Sequence, residues 1–264
     1  MTLQGCRVLS CGYTPSVRSE TNTAPVTLSI IMPAYNEERT IESVVRRVVQ
    51  EITCDFELII VNDGSKDKTP EIIEKLAATE PRIRTIHKKN GGKASALKEG
   101  FAVSRGDIVI IQDADLEYDP SEIVHVIQPI LDGKADVVYG SRFLVRRAAR
   151  VLYYYHYVAN RVITMTSNLL TNLNMTDVET GYKAIRGPII RTMVLTAHGF
   201  GIEIEITAKV AKCKAAVYEV PISYYGRTYE EGKKIGVWDG VMALWYIFQF
   251  NLFWNREQSF RKSK

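Results

Sequence analysis

The stretch Ile108-Val109-Ile110-Ile111-Gln112-Asp113-Ala114-Asp115-Leu116-Glu117 decides how this chain folds. It opens with a β-branched apolar run, the signature of a strand buried on both faces. It closes on two aspartates separated by one alanine. Side chains alternate along an extended chain, so Asp113 and Asp115 are expected on one side, with Glu117 joining them if the extension continues. Carboxylates gathered where a buried strand emerges repel one another unless a cation lies between them. Their oxygen donors suit a hard divalent ion, Mg2+ or Mn2+, shared with phosphate groups. The plainer alternative is a helix cap, but Asp119-Pro120 already supplies a cap and a first helical residue.

Upstream, Val26–Met32 reads as a strand stopped by Pro33, and Phe56–Val61 as a second buried strand. Between them Ile41, Val44, Val45, Val48, Val49 and Ile52 fall on one helical stripe. Thr69-Pro70-Glu71 opens a further helix, with Thr69 as its cap. Ile83–Ile86 is a short strand, and a helix runs from Lys93 to about Ser104. Downstream, Ile123, Val124, Ile127 and Leu131 mark the inward face of a helix, and Asp136–Tyr139 another strand. Alternating strands and helices with short links predict an α/β fold with a mostly parallel sheet sandwiched by helices. Ligands of such sheets gather beyond the carboxyl ends of the strands. The loops at Pro33, Asn62, Lys88, Gln112 and Gly140 should therefore open onto one edge.

After Phe143 the alternation breaks. A long helix is expected over about Tyr153–Leu173, a loop entering a strand at Asp177–Lys183, and a helix ending near Cys213. Val217–Ile222 is a strand, and the last apolar stretch runs from Gly240 to Trp254. The 264 residues are 46% hydrophobic and 24% charged, ordinary for a globular protein, and the net charge of +4 does not argue for nucleic acid. Residues 1–25 read as a disordered leader without a secretory signal, so a cytoplasmic protein is the default. Cys6, Cys11, Cys54 and Cys213 show neither metal nor redox spacing.

Single motifs are weaker than their convergence. Asn90-Gly91-Gly92-Lys93 offers two glycines for close backbone approach and one positive charge. It is not a P-loop, because His87 and Ala94 occupy positions that need Gly and Ser or Thr. Beside the aspartates it becomes a candidate diphosphate contact through Lys93. Asp63 is either an ordinary Asp-Gly-Ser turn or a nucleotide contact. Arg142 and Arg227 each follow a strand and present guanidinium forks suited to phosphate. Glu203 and Glu205, alternating in Ile-Glu-Ile-Glu-Ile, are expected either on the cleft side of one element or as surface charges of a helix.

Taken together, these motifs resemble the family-2 glycosyltransferases of GT-A (Rossmann-like) fold, and most closely their dolichyl- and polyprenyl-phosphate mannosyltransferase-like branch. The resemblance rests on Pro33-Ala34-Tyr35-Asn36-Glu37, Val61–Ser65, Gly91–Lys93, Asp113-Ala114-Asp115, Gly140-Ser141-Arg142 and Asp177–Tyr182, with looser matches at Phe200–Glu205 and Arg227–Lys234. It implies that Pro33, Tyr35, Glu37 and Asp63 hold the nucleotide of an activated sugar, and that Asp113, Ala114, Asp115 and Glu117 manage metal and diphosphate. It implies that Arg142, Arg227 and Lys234 clamp a polyprenyl phosphate. The branch often has glutamine at the position of Glu117, and the Arg227 loop is longer here than is common. The implied reaction is inverting transfer of a hexose from GDP-mannose or UDP-glucose to a polyprenyl phosphate, with Asp115, Arg142 and Arg227 at its centre. A soluble transferase acting on a hydroxyl would instead need a general base, Glu203 or Glu205. A non-catalytic nucleotide-sugar-binding module is the reading from another class.

A lipid acceptor requires a membrane surface. Gly240–Trp254 is fifteen residues, broken by Gln249 and Asn251, and a spanning helix needs about 20. It reads as an amphipathic interfacial helix, with Trp238, Trp245, Tyr246 and Trp254 at the headgroups and Arg256, Arg261, Lys262 and Lys264 drawn to anionic lipid. The alternative is a helix packed on the domain. Arg146, Arg147 and Arg150, beside Tyr153–Tyr155, form a second candidate patch. The expected organisation is a leader (1–25), a GT-A domain (26–235) and a C-terminal interfacial helix with basic tail (236–264), peripheral at the cytoplasmic membrane face.

Overall fold

The computed structural model describes residues 27–144, 153–226 and 237–261. The first half alternates as expected: β1 (Leu28–Ala34), α1 (Ile41–Glu51), β2 (Phe56–Asn62), α2 (Thr69–Thr79), β3 (Ile83–His87), α3 (Lys93–Val103), β4 (Ile108–Ile111), α4 (Ile123–Leu131) and β5 (Val137–Ser141). There follow α5 (Tyr154–Thr171), β6 (Lys183–Arg186), α6 (Gly187–Thr192), α7 (Gly201–Cys213), β7 (Val217–Pro221), α8 (Val237–Phe248) and α9 (Arg256–Ser259).

The seven strands form one sheet in the order β3-β2-β1-β4-β6-β5-β7. Every pairing is parallel except those of β6, which runs antiparallel to both neighbours. Strand residues alternate between two cores. Leu28, Ile30, Met32, Ile108 and Ile110 pack under α1, α2 and α4. Ile31, Ile59, Val61, Val109 and Ile111 pack under α3, α6 and α7. Apolar side chains on both faces of these strands explain why their sequences read as unbroken runs rather than alternations.

Three local expectations change. Pro33 does not stop β1, which continues to Ala34 opposite Asn62. Pairing between β1 and β4 ends at Ile31 and Ile111, so the side on which proline lacks a donor has already lost its neighbour. Thr69 is the first residue of α2 rather than its cap, its hydroxyl accepting from Glu37 N at 2.9 Å. The inward stripe of α4 is Ile123, Val126, Ile127 and Ile130, whereas Val124 is exposed.

The last helix packs on the domain. Ala243 and Ile247 join Ile163 of α5 and Ile204 of α7 in a small third core. Tyr246 and Trp254 turn inward, correcting their expected place at a headgroup surface. Tyr246 stacks on Phe250 at 5.6 Å, and Trp254 covers Lys209 at 4.1 Å. The outward face of α8 is itself apolar, with Trp238, Val241, Met242, Trp245 and Phe248 exposed. Among the described residues no helix is long and apolar enough to cross a membrane. Residues 1–25, Arg146, Arg147, Arg150, Arg227, Lys234, Lys262 and Lys264 lie outside the described residues.

Close packing of α3 on the sheet depends on Gly100, where an added Cβ would meet Ile31 Cγ2 at 2.3 Å. Gly100→Ala is expected to destabilise the fold by about 1–3 kcal/mol through overpacking, read from urea unfolding midpoints at unchanged m-value.

Candidate functional site

The carboxyl ends of β1, β2 and β4 deliver Pro33, Tyr35, Glu37, Asp63 and Asp113 to one edge, as the parallel pairing requires. The first two loops are stitched together. Ser65 Oγ accepts from Asn36 N at 3.0 Å, Asn36 Oδ1 accepts from Lys66 N at 2.8 Å, and Asp67 Oδ2 accepts from Glu38 N at 3.1 Å. Glu37 accepts from the Thr40 hydroxyl at 3.0 Å.

Asp63 is buried, and its carboxylate takes hydrogen bonds from Gly91 N at 2.9 Å, Gly92 N at 2.7 Å and Lys88 Nζ at 2.8 Å. The glycine amides at the start of α3 therefore do cradle an anion, but that anion is the protein's own side chain. This replaces the expected phosphate cradle. The loop instead aims Lys93 across the edge, where Nζ lies 2.8 Å from Asp113 Oδ1.

The acidic stretch departs from simple alternation. The strand ends at Ile111 and the chain bends, and the three carboxylates take different protein partners. Asp113 binds Lys93, Asp115 Oδ1 accepts from Glu117 N at 3.1 Å, and Glu117 Oε2 accepts from the Tyr224 hydroxyl at 2.9 Å. Among the described residues no three such side chains form a ready-made cage for a metal. Ala114 is buried against the core under α1 and α4.

The second half of the site comes from β6. Because that strand runs backwards, the loop Asp177–Tyr182 that leads into it arrives where β4 and β5 end. Asp177, fully buried, grips Arg142 in a bidentate pair at 2.7 Å from both Nε and Nη2. Burial pushes the Asp177 pKa up, but the Arg142 charge and hydrogen bonds outweigh it and hold it below the usual range. Arg142 thus spends one edge of its fork on the protein and lies over the Tyr224 ring at 5.1 Å. Asn160 of α5 also reaches Asp177, at 3.3 Å. Tyr118 receives Gly181 N at 2.9 Å and stacks on Tyr182 at 5.0 Å. A Cβ on Gly181 would come within 2.8 Å of Asp113 Oδ2 and 3.2 Å of Tyr118 Cε2, so glycine lets the two halves of the site approach without displacing these side chains.

The two glutamates of α7 separate. They are two residues apart on a helix, which places them on different sides. Glu203 faces the site, paired with Lys183 and 3.7 Å from Lys93. Glu205 faces away, bound by Lys209 at 2.6 Å and by the Thr196 and Ala197 amides at 2.8 Å. This corrects its expected place on the cleft side.

Burial presses the Lys93 pKa down, yet the charges of Asp113 and Glu203 prevail and hold it above the ordinary lysine value. Lys183, with no exposed surface, was not singled out in the sequence, and neither was Glu179. Burial pushes the Glu179 carboxyl up to about 7, with Lys183 opposing and Glu203 adding to the rise. Hydrophobic neighbours alone would not have revealed either residue, since Glu179 lies in the loop before β6 and Lys183 opens that short strand.

The donor chemistry fits a divalent ion. With Glu179 ionised, the coupled carboxylates of Asp113, Asp177, Glu179 and Glu203 outnumber the cations Lys93, Arg142 and Lys183 by one charge. All of the surplus is hard oxygen.

Residues 29–193 match the family model described as Glycosyl transferase family 2. The chain belongs to glycosyltransferase family 2. A dolichol-phosphate mannosyltransferase of Pyrococcus furiosus is 29% identical over 79% of this chain and 59% of its own length. A polyprenol monophosphomannose synthase of Mycolicibacterium smegmatis is 27% identical over 89% of this chain and 90% of its own. The chain spans about a fifth of a third family relative, a glycosyltransferase of Haloferax volcanii, at 38% identity over 48% of this chain and 21% of that protein. The GT-A fold is shared with glucosyl-3-phosphoglycerate synthase of Mycobacterium tuberculosis, solved with Mn2+, UDP and glucosyl-3-phosphoglycerate. The TM-score is 0.64 at 20% identity, covering 86% of this chain and 80% of that one.

The raised Glu179 pKa has a consequence for stability. The folded state holds this proton between the ordinary carboxyl value and about 7, so the contribution is present at low pH and is lost as pH rises to about 7. Glu179→Gln should therefore gain stability relative to the native chain on going from pH 5 to pH 8, measured by urea unfolding at each pH.

Proposed function

We propose that the chain transfers a hexose from a nucleotide-diphosphate sugar to a polyprenyl phosphate, with inversion at the anomeric carbon. The observation that carries this reading is α5. Its inner side holds the site, through Asn160 on Asp177 and the Thr164 hydroxyl, which accepts from Val178 N at 3.3 Å. Its outer side exposes Tyr154, Val158, Val162, Met165 and Leu169, spaced along one helical stripe. Packed beside it, α8 exposes its own row of apolar side chains. A phosphate site backed by an open apolar face suits a substrate with a charged head and a prenyl tail lying in a membrane surface. The names of the Pyrococcus and Mycolicibacterium relatives support the same acceptor class.

On this reading Tyr35, Glu37 and the loop around Asp63 seat the nucleotide. Asp113 and Asp115 would hold Mg2+ or Mn2+, which when bound supplies charge for the departing diphosphate. Lys93 adds a fixed positive charge beside Asp113. Arg142, oriented by Asp177, offers its remaining edge to the acceptor phosphate, with Arg227 and Lys234 completing that clamp. A phosphate is largely ionised near neutrality, its second pKa being about 6, so it needs positioning more than a base. Attack from the Arg142 side, opposite the leaving group, inverts the sugar carbon.

Purified protein with Mn2+ or Mg2+, polyprenyl phosphate and either GDP-mannose or UDP-glucose should move sugar label into the lipid extract. Asp115→Ala should lower that transfer by about 100-fold or more. Donor consumption without lipid label would point to a hydroxyl acceptor, with Glu179 as its base, since Glu203 and Glu205 are both ion-paired. In flotation with vesicles containing anionic lipid, the native chain should rise with the membrane, and Trp245→Glu with Leu169→Glu should leave most of it in the soluble fraction.

A further inference from the structure

Four charged side chains form a row through the centre of the site: Asp113, Lys93, Glu203 and Lys183. Lys93 Nζ lies 2.8 Å from Asp113 Oδ1 and 3.0 Å from Oδ2. The same nitrogen stands 3.7 Å from Glu203 Oε1, too far for a hydrogen bond. Lys183 binds the other oxygen of that carboxylate, Oε2. Glu203 Oε1 is buried and has no hydrogen-bond donor among the described residues. A buried carboxylate oxygen left without a donor is uncommon and unfavourable. Here it lies one short step from a lysine already engaged elsewhere.

We propose that Lys93 is a displaceable cation, seated on Asp113 until a divalent ion takes that carboxylate and then seated on Glu203 Oε1. This rests on the metal-dependent transferase reading above. A doubly charged ion on Asp113 would repel an ammonium held within about 3 Å of the same oxygens. Lys93 need not leave the site to escape that repulsion. A shift of about 1 Å in the head of its flexible stem brings Nζ within hydrogen-bond range of Oε1. The receiving carboxylate stays in place, fixed by Lys183 and by its burial on α7. The exchange exposes no charge and gives the orphaned oxygen its donor.

The move also ties the two halves of the site together. Lys183 binds both Glu203 and the carbonyl of Thr180, next to Gly181, which abuts Asp113. A change in how Lys93 loads Glu203 is therefore felt in the loop that orients Arg142. Lys93 is a positioning residue in this scheme: it sets how readily Asp113 accepts an ion, and it signals that event to the acceptor side.

The test is a double-substitution cycle on Mn2+ affinity, with Mn2+ alone as the probe and its free concentration read by electron paramagnetic resonance. Glu203→Gln should weaken Mn2+ binding about tenfold or more in the native background, because the displaced lysine loses its charged seat. In a Lys93→Met background the same change should alter affinity by less than about twofold, since no lysine needs the seat. An equal penalty in both backgrounds would mean simple long-range attraction and would overturn the exchange while leaving the metal site standing. Native protein that binds no Mn2+ would overturn the metal reading and the exchange together. Should Glu203→Gln fail to fold, a crystal structure of the native chain soaked in Mn2+ decides the matter. Lys93 Nζ on Glu203 Oε1 upholds the exchange, and Lys93 Nζ still on Asp113 refutes it.

Discussion

The antiparallel ladder of β6 between β4 and β5 is the constraint on which the site depends. Val109 pairs with Ile185 on one side, and Val137 pairs with the same Ile185 on the other. A parallel strand in this slot would begin at the far edge of the sheet, and the loop before it would open away from the aspartates. Reversal puts the start of β6 where its neighbours end, so Lys183 sits opposite Tyr139 and the Asp177–Tyr182 loop closes over Asp113. One strand direction thus turns the edge formed by β1, β2 and β4 into a site with two sides.

Charge then fixes the details. Asp177 with Arg142 and Glu203 with Lys183 are buried pairs, and burying an ion is unfavourable unless its partner and hydrogen bonds are both in place. Each carboxylate here has several donors or a bidentate grip, apart from the two oxygens of Glu179 and Glu203 that lack one among the described residues. Those exceptions lie next to one another in the charge network and next to the acidic end of β4. Polar groups left incomplete inside an otherwise satisfied cluster mark where the cluster is built to change partners.

Much of this was legible in the residues. Unbroken β-branched runs located the strands, β2 and α5 lie within a residue or two of where the sequence placed them, and α7 ends at Cys213 as expected. The convergence of loops at the carboxyl edge followed from the parallel sheet alone. What stayed hidden was non-local or directional. A strand entered at Lys183 was expected, but nothing in Lys183-Ala184-Ile185-Arg186 tells that it lies in the middle of the sheet or which way it pairs. Two glycines before a helix predict an anion but not that Asp63 supplies it. Glu203 and Glu205 alternate as if on a strand, and only the helical register of α7 sends them to opposite sides. Asp113 and Asp115 escape simple strand alternation because β4 stops two residues before the first of them.

The stitched loops beyond β1 and β2 are set before anything binds to them. Asn36, Glu37 and Glu38 are tied to Ser65, Thr69 and Asp67, and Asp63 locks the turn before α3. This half of the site has surrendered its conformational freedom during folding, long before any ligand arrives. Binding of a ligand at these loops then requires little ordering of the backbone, and its affinity reflects contacts made rather than entropy lost. Such a mould keeps its shape whether or not it is filled, leaving adjustment to the side chains around Lys93 and Glu203.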